Sequence, residues 1–452
     1  MIGNVYLIGI GGIGMSAIAR YYNHAGYKVS GYDRTPSPLT RELEHEGMAI
    51  HYDCNIEAIP NNPQNSLVIY TPAVPEDFGE LLYVKERGYR LIKRSRALGE
   101  IARGQFTLAV AGTHGKTTTS TLLAHIFTNS GMGCSAFLGG ISKNYNTNLL
   151  LGKNKVLVAE ADEFDRSFLQ LYPDIAIITS ADPDHLDIYK TYGAVKEAFE
   201  TFASQVKENG SIIIKKGVCL DFYKVPARRY TYSLGGQADF YAENITITGE
   251  GHFKFDLHTP TEVIKECLMG VPGRVNAENG VAAAAAALLY GTAPEKVKRA
   301  LYEFKGVKRR LDVHVNTSKA VYVDDYAHHP KELSSALLSL REIFPGRQIC
   351  AIFQPHLYSR TRDFAAEFAR SLSLADKLVL LDIYPAREEP IEGVTSRIIY
   401  DKVTISNKIM LHKEELLPYI ERENTDVLVT FGAGDIDRFI EPITEIVSRK
   451  SR

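Results

Sequence analysis

Short apolar runs recur along the chain, bounded by glycines or polar turns and separated by stretches of helical period. The first, VYLIGI from Val5 to Ile10, is followed by glycines, a helical stretch to His24 and a second run, KVSGYD, that ends at Asp33. Such continuous runs belong to strands covered on both faces, and the order reads as a βαβ opening. SLVIYT (Ser66 to Thr71) and YRLI (Tyr89 to Ile92) carry the alternation on, and the unit is expected to end near Arg103 and Gly104.

A second unit begins at TLAVAG (Thr107 to Gly112), with a helix expected to about Asn129 and a terminating glycine at Gly131. KVLVAE (Lys155 to Glu160), IAIITS (Ile175 to Ser180) and SIIIK (Ser211 to Lys215) supply its sheet. Residues 228–270 alternate apolar and polar positions, as in YTYSL and FKFDL, and are expected to add antiparallel strands. After Phe304-Lys305-Gly306 the rhythm returns: VYVDD, a helix opening at Pro330, QICAIFQ, a helix, KLVLLDIY and DVLVTFGAG. The fold class expected is α/β in three domains, covering 1–104, 105–306 and 307–452. The first and third read as Rossmann-like, and the central one as a P-loop domain.

Composition narrows the partners. With 45% hydrophobic residues, 23% charged and a net charge of -2, the 452-residue chain has no bulk attraction for nucleic acid or an anionic membrane. Any anion must be held locally. Five cysteines (Cys54, Cys134, Cys219, Cys267, Cys350), widely spaced and without a CxxC pair, fit a reducing cytoplasm better than a disulfide or zinc scaffold. The most apolar run, Val281 to Tyr290, is far shorter than the roughly 20 residues of a spanning helix and reads as a buried one.

The clearest chemistry lies between TLAVA and the helix after it. Gly112-Thr113-His114-Gly115-Lys116-Thr117-Thr118 can wrap phosphate oxygens with backbone N–H groups. Lys116 adds a charge for the β and γ phosphates, Thr117 a hydroxyl for Mg²⁺, and the helix its positive end. Glu160, at the end of KVLVAE, emerges at the same sheet edge and is a second metal-ligand candidate, with His185 in ADPDHLD as a third. Asp162, Glu163, Asp182, Asp184 and Asp187 crowd the region and are expected to be mostly solvated or to sit behind the ligands.

The N-terminal Gly9-Ile10-Gly11-Gly12-Ile13-Gly14, with Asp33 after it, fits a dinucleotide fingerprint. Its physical content is close approach of backbone to a pyrophosphate, so NAD and a UDP-sugar both satisfy it. An NAD-dependent oxidoreductase is one reading, although it leaves the GKT loop unexplained. A protein that merely holds or hydrolyses ATP is another.

GTHGKTTT (112–119), EADEFDRSF (160–168) and DHLDIY (184–189) together resemble the Mur ligase family. The resemblance implies an ATP-dependent amide ligase: ATP phosphorylates a carboxylate, and an amine attacks the acyl phosphate. It also implies that Lys116 meets ATP phosphates, while Thr117, Glu160 and His185 organise Mg²⁺, with Mn²⁺ as a substitute. Gly273-Arg274-Val275-Asn276-Ala277-Glu278-Asn279 is similar to the family's adenine-binding segment, with valine for its usual histidine. Asn276 and Asn279 carry over. Arg310 of Lys308-Arg309-Arg310 is implied to reach ATP phosphate as the third domain closes, and Asp325 to meet ATP or its ribose.

DDYAHHP (324–330) and FQPHLYSRT (353–361) resemble the alanine-adding branch of the family. Tyr326, His328, His356 and Arg360 are thereby implied to hold L-alanine, Arg360 through its carboxylate. Some relatives carry arginine where this chain has Leu357. GIGGIGMS resembles that branch's UDP-binding start, which implies Gly11, Gly12, Ile13, Gly14, Met15 and Ser16 as contacts of UDP-N-acetylmuramate, with Asp33. Thr71 and Ala73 in YTPAVP and the segment FLGGISKNYNTN (137–148) resemble its further substrate loops. The resemblance implies a cytoplasmic enzyme of peptidoglycan precursor synthesis. Its catalytic set would be Lys116, Glu160, His185, Arg310, His328 and His356, and no nucleic acid or membrane partner is expected of a monomer or weak homodimer.

Overall fold

The computed structural model describes residues 2–184, 186–223, 225–248, 251–386 and 388–451, the side chains of 186 and 187 excepted. It contains three sheets. In the first, five parallel strands run in the order Ala49–His51, Lys28–Tyr32, Asn4–Ile8, Ser66–Tyr70, Arg90–Lys93. The first strand lies in the middle, and the chain winds outward from it in both directions. That arrangement opens a crevice at the carboxyl ends of the central strands, where the glycine loop sits.

The second sheet has ten strands, with Phe106–Ala111 flanked by Ile175–Ile178 and Val156–Glu160 in its parallel centre. Leu108 to Ala111 are fully buried. The helix Lys116–Asn129 that follows is buried on every side from Thr117 to Phe127, so its threonines lie in the interior and not on a wet face. The alanine run Ala282 to Ala287 is likewise inaccessible, inside the helix Arg274–Tyr290. Among the described residues no helix is long and apolar enough to cross a membrane.

The strands after residue 228 differ in part from the expected antiparallel set. Arg228–Ser233 pairs in parallel with Ser211–Lys215, and Phe240–Ile247 begins with two parallel pairs, Tyr232 to Phe240 and Ser233 to Tyr241. Alternation reports which face is wet and says nothing about direction. The connection from Lys215 to Arg228 is long enough for a crossover, which takes about a dozen residues. Beyond it, the Thr259 N–H to Glu262 carbonyl bond closes the turn between Phe253–His258 and Val263–Leu268, and the Met269 N–H to Phe253 carbonyl bond joins their other ends, a hairpin of the kind the alternation suggests.

The third sheet is ordered Asp312–Asn316, Val321–Asp325, Val427–Phe431, Ile349–Phe353, Lys377–Leu381, Lys408–Leu411. Only its first strand is antiparallel to its neighbour. The chain forms two compact units: Met1–Asn244, Phe255–Cys267 and Glu278–Lys305 make one, and Ile245–Lys254, Leu268–Ala277 and Gly306–Arg452 the other.

The buried helix of the central sheet carries a titratable group with a measurable consequence. His125 is 2% exposed, its Nδ1 lies 2.9 Å from the Tyr145 hydroxyl, and burial pulls its pKa from 6.5 down to about 4 against the opposing pull of Glu303. Below pH 6.5 the unfolded chain takes up this proton and the folded chain does not. The contribution of His125 to stability is therefore expected to fall as pH drops from 6.5 to about 4, by on the order of 3 kcal/mol, and then to level off. Denaturant unfolding at pH 7 and near pH 4.5 should show a smaller difference in His125→Gln than in the parent. Equal pH dependence in the two proteins would remove His125 as the cause.

Candidate functional site

In the first unit, the loop after strand Phe106–Ala111 turns on two glycines. Gly112 has φ +134° and a Cβ there would run into Thr179; Gly115 has φ +81°, a left-handed conformation that costs a side chain dearly, and lies against Asn279. The neighbouring strand end braces the loop. Thr113 Oγ1 lies 2.9 Å from Ser180 Oγ, which also accepts the His114 N–H at 2.9 Å, and the Thr179 hydroxyl donates to the Ala111 and His114 carbonyls. His114 Nε2 is 3.5 Å from Asp182. Sequence reasoning passed over Thr179 and Ser180; two hydroxyl residues ending a buried parallel strand beside a phosphate loop were the available signal.

Lys116 donates to the Gly112 carbonyl at 2.7 Å and to Glu163, whose Oε2 is 2.8 Å away. Burial works against its charge, but the carboxylates of Glu163, Asp162 and Glu160 outweigh burial and hold its pKa above the ordinary lysine value. Glu163 is 1% exposed, so this acid of the EADE segment belongs to the interior and not to a solvated rim.

The Thr117 hydroxyl donates to Glu160 Oε1 at 3.2 Å, and the Gly139 N–H to Glu160 Oε2 at 3.1 Å. A Cβ on Gly139 would collide with that carboxylate, which gives the first glycine of FLGG its reason. Hydroxyl and carboxylate oxygens are hard donors that suit Mg²⁺ or Mn²⁺. Among the described residues no group of three His, Cys, Asp or Glu side chains could hold a metal. A cation at Thr117 and Glu160 would thus complete its shell with phosphate oxygens and water, as Mg²⁺ commonly does. His185 lies outside the described residues.

The N-terminal glycine loop belongs to the same unit. Gly11 donates its N–H to Asp33 Oδ2 at 2.7 Å, and Gly9, with φ +89°, packs on Thr71. Ala73 is exposed on the turn beyond. Helix Ile13–His24 starts at Gly12 without a side-chain cap, which leaves its first N–H groups to an outside acceptor. Met15 and Ser16 are buried beneath.

Two further residues converge here, Asn148 at the end of the segment 137–148 and Arg94, which sequence reasoning did not single out. Asn148, fully buried, donates to the Ile13 carbonyl at 2.6 Å and to Ser16 Oγ at 2.9 Å, and accepts from Arg20 at 2.6 Å. Arg94, the second, lies against Gly14 and 3.4 Å from Asp162.

In the second unit, Asn276 donates to the Pro272 carbonyl, and the carboxylate of Asp325 accepts the Leu311 and Ala327 N–H groups at 2.6 and 2.7 Å. Burial pushes Asp325 up to about 6, with Arg310 pulling the other way. Arg309 is bound to the inaccessible Asp324 and to the Gly432 carbonyl, whereas the Arg310 guanidinium sits 5.1 Å from the Tyr326 ring centre.

Tyr326, His328 and His356 come together: Tyr326 and His328 meet edge to face at 5.3 Å, and His328 and His356 at 6.0 Å. Arg360 follows on the helix Tyr358–Asp363. Tyr384, absent from the sequence reasoning, stacks on His356 at 5.9 Å.

Comparison with known proteins gives these clusters a common setting. Residues 4–106 match the Mur ligase family catalytic domain, 110–287 the Mur ligase middle domain and 309–434 the Mur ligase glutamate ligase domain. UDP-N-acetylmuramate–L-alanine ligase of Parabacteroides distasonis is 52% identical, the alignment covering 99% of this chain and 98% of that one. The protein of the same name from Flavobacterium psychrophilum is 49% identical over the same shares. The crystal structure of UDP-N-acetylmuramate-alanine ligase from Thermotoga maritima superposes with a TM-score of 0.83, at 27% identity and 99% coverage of both chains. The chain belongs to the Mur ligase family.

Proposed function

We propose that the protein joins L-alanine to the carboxylate of UDP-N-acetylmuramate with conversion of ATP to ADP and phosphate, a step in cytoplasmic supply of peptidoglycan precursors. The observation that carries this reading is full-length similarity, at about half identity, to ligases named for those two substrates. The geometry supports it. A lysine held charged among carboxylates suits phosphate transfer, and an uncapped helix start beside a glycine loop suits a diphosphate.

In this reading Gly112 to Thr118 hold the ATP phosphates, and Lys116 offsets the charge that grows as the γ-phosphoryl group moves to the substrate carboxylate. Bound Mg²⁺ would share that neutralisation, with Thr117 and Glu160 as its protein ligands and His185 as a candidate third. Asn276, Asn279, Arg310 and Asp325 are assigned to ATP, and Gly11 to Ser16, Asp33, Thr71 and Ala73 to the nucleotide sugar. L-alanine lies at Tyr326, His328 and His356, its carboxylate toward Arg360. Its amine attacks the acyl phosphate, the C–N bond forms, phosphate leaves, and the ammonium proton is released. The enzyme acts as a monomer or weak homodimer.

Following ADP and phosphate release with UDP-N-acetylmuramate, L-alanine, ATP and Mg²⁺, each omitted in turn, tests the proposal. Release that ignores L-alanine would refute it. His328→Ala is expected to raise KM for L-alanine about tenfold or more while KM for ATP stays within about twofold. An unchanged alanine requirement would move the amino-acid site elsewhere.

A further inference from the structure

The turn that carries His356 is unusual in its backbone. Leu357, buried at 8% exposure, has φ +71° and ψ 135°, a conformation almost confined to glycine. Such a conformation persists only where its surroundings impose it. Here they come from a separate loop: the Leu357 N–H donates to the Tyr384 carbonyl at 3.0 Å, and the Tyr384 N–H to the Pro355 carbonyl at 2.8 Å. These two bonds bracket His356. Glu388 extends the clamp by accepting the Ser359 N–H at 2.9 Å and the Ser359 hydroxyl.

The Tyr384 ring lies nearly parallel to the His356 ring, at 20° and 5.9 Å between centres, while His356 meets His328 edge to face on another side. The tyrosine itself is held from behind. A Cβ on Gly434 would come within 2.6 Å of Tyr384 Cγ and 2.5 Å of Gln354 Oε1. The backbone of Gly434, φ −91° and ψ −158°, suits any residue, so glycine is needed there for room and not for conformation. Tyr384 also borders a cavity of about 340 Å³ lined by Gln354, Leu381, Pro385, Lys413 and Asp435. A ring with open space beside it stays in place only while its two neighbours keep it there.

We infer that Tyr384, with Gly434 behind it, is a positioning residue for the amino-acid substrate, setting the plane and reach of His356. The inference rests on the proposed placement of L-alanine at His356. It concerns a residue that acts through another, so its signature is selective: the amino-acid step changes and the two nucleotide sites do not.

The test uses the full-length protein with UDP-N-acetylmuramate, ATP, Mg²⁺ and varied L-alanine. Tyr384→Ala is expected to raise KM for L-alanine about tenfold, with both nucleotide KM values within about twofold of the parent. Tyr384→Phe, which keeps the stacked ring, should stay within about twofold throughout, and Gly434→Ala should shift in the direction of Tyr384→Ala. Carbon-13 labelling of histidine adds a readout apart from activity. The His356 ring signal, identified by its loss in His356→Ala, should move in Tyr384→Ala and hold in Tyr384→Phe.

An active parent whose alanine KM is unmoved by Tyr384→Ala overturns the inference alone. So does a variant in which all three KM values rise together, or one whose His356 signal stays where it was. A parent without alanine-dependent ADP release overturns the ligase reading and the inference with it.

Discussion

Lys116→Ala is expected to lower kcat for ADP release by about a hundredfold to a thousandfold, the size of effect seen when one group that stabilises developing charge is removed. The same substitution takes a cation away from Glu163, which is 1% exposed and pairs with Lys116 at 2.8 Å. Breaking a buried ion pair by removing one partner costs on the order of 3 to 5 kcal/mol of stability. Lost turnover could therefore reflect a weakened fold. Adding Glu163→Gln to Lys116→Met separates the causes, since the double variant should recover the thermal midpoint and stay inactive. Parental turnover in Lys116→Ala would contradict the phosphate assignment outright.

Glu160→Gln should give the second largest loss. The glutamine keeps an oxygen for the Thr117 hydroxyl, now 3.2 Å from Glu160 Oε1, but removes the charge and turns an amide toward the Gly139 N–H, which now bonds Oε2. The Mg²⁺ concentration for half-maximal rate is expected to rise about tenfold or more, because the proposed site loses its carboxylate charge. A Mg²⁺ titration of initial rate decides this. Curves that superpose would take Glu160 out of the metal site.

These residues were legible in the sequence because their chemistry is bound to a short, ordered string. A strand, two glycines, a lysine and a threonine in GTHGKT leave little freedom, and the structure puts Gly112 and Gly115 in conformations that favour glycine. The sheets were legible for the same reason: VYLIGI, TLAVAG and QICAIFQ are runs that only two-sided burial explains. What escaped were contacts made across the chain. Asn148 reaches Ile13, a separation of 135 residues, Thr179 reaches the phosphate loop 65 residues before it, and Tyr384 meets His356. Asn148 and Tyr384 have no local pattern, and the one at Thr179 is faint, because a polar or aromatic residue near a strand end looks alike whether it meets water or a distant turn. The direction of Arg228–Ser233 escaped as well, since alternation is blind to it.

Asn148 also bears on the span between the glycine loop and the phosphate loop. One buried amide holds the start of helix Ile13–His24, and the hairpin it stands on shares a sheet with the phosphate loop. The glycine loop and Lys116 are thereby ends of one ruler rather than two parts free to slide. In the proposed reaction, a nucleotide sugar clasped at its diphosphate would present its carboxylate at a fixed span from the γ-phosphate. Acceptors longer or shorter by one bonded unit would then be turned away by reach, before any pocket inspects their shape.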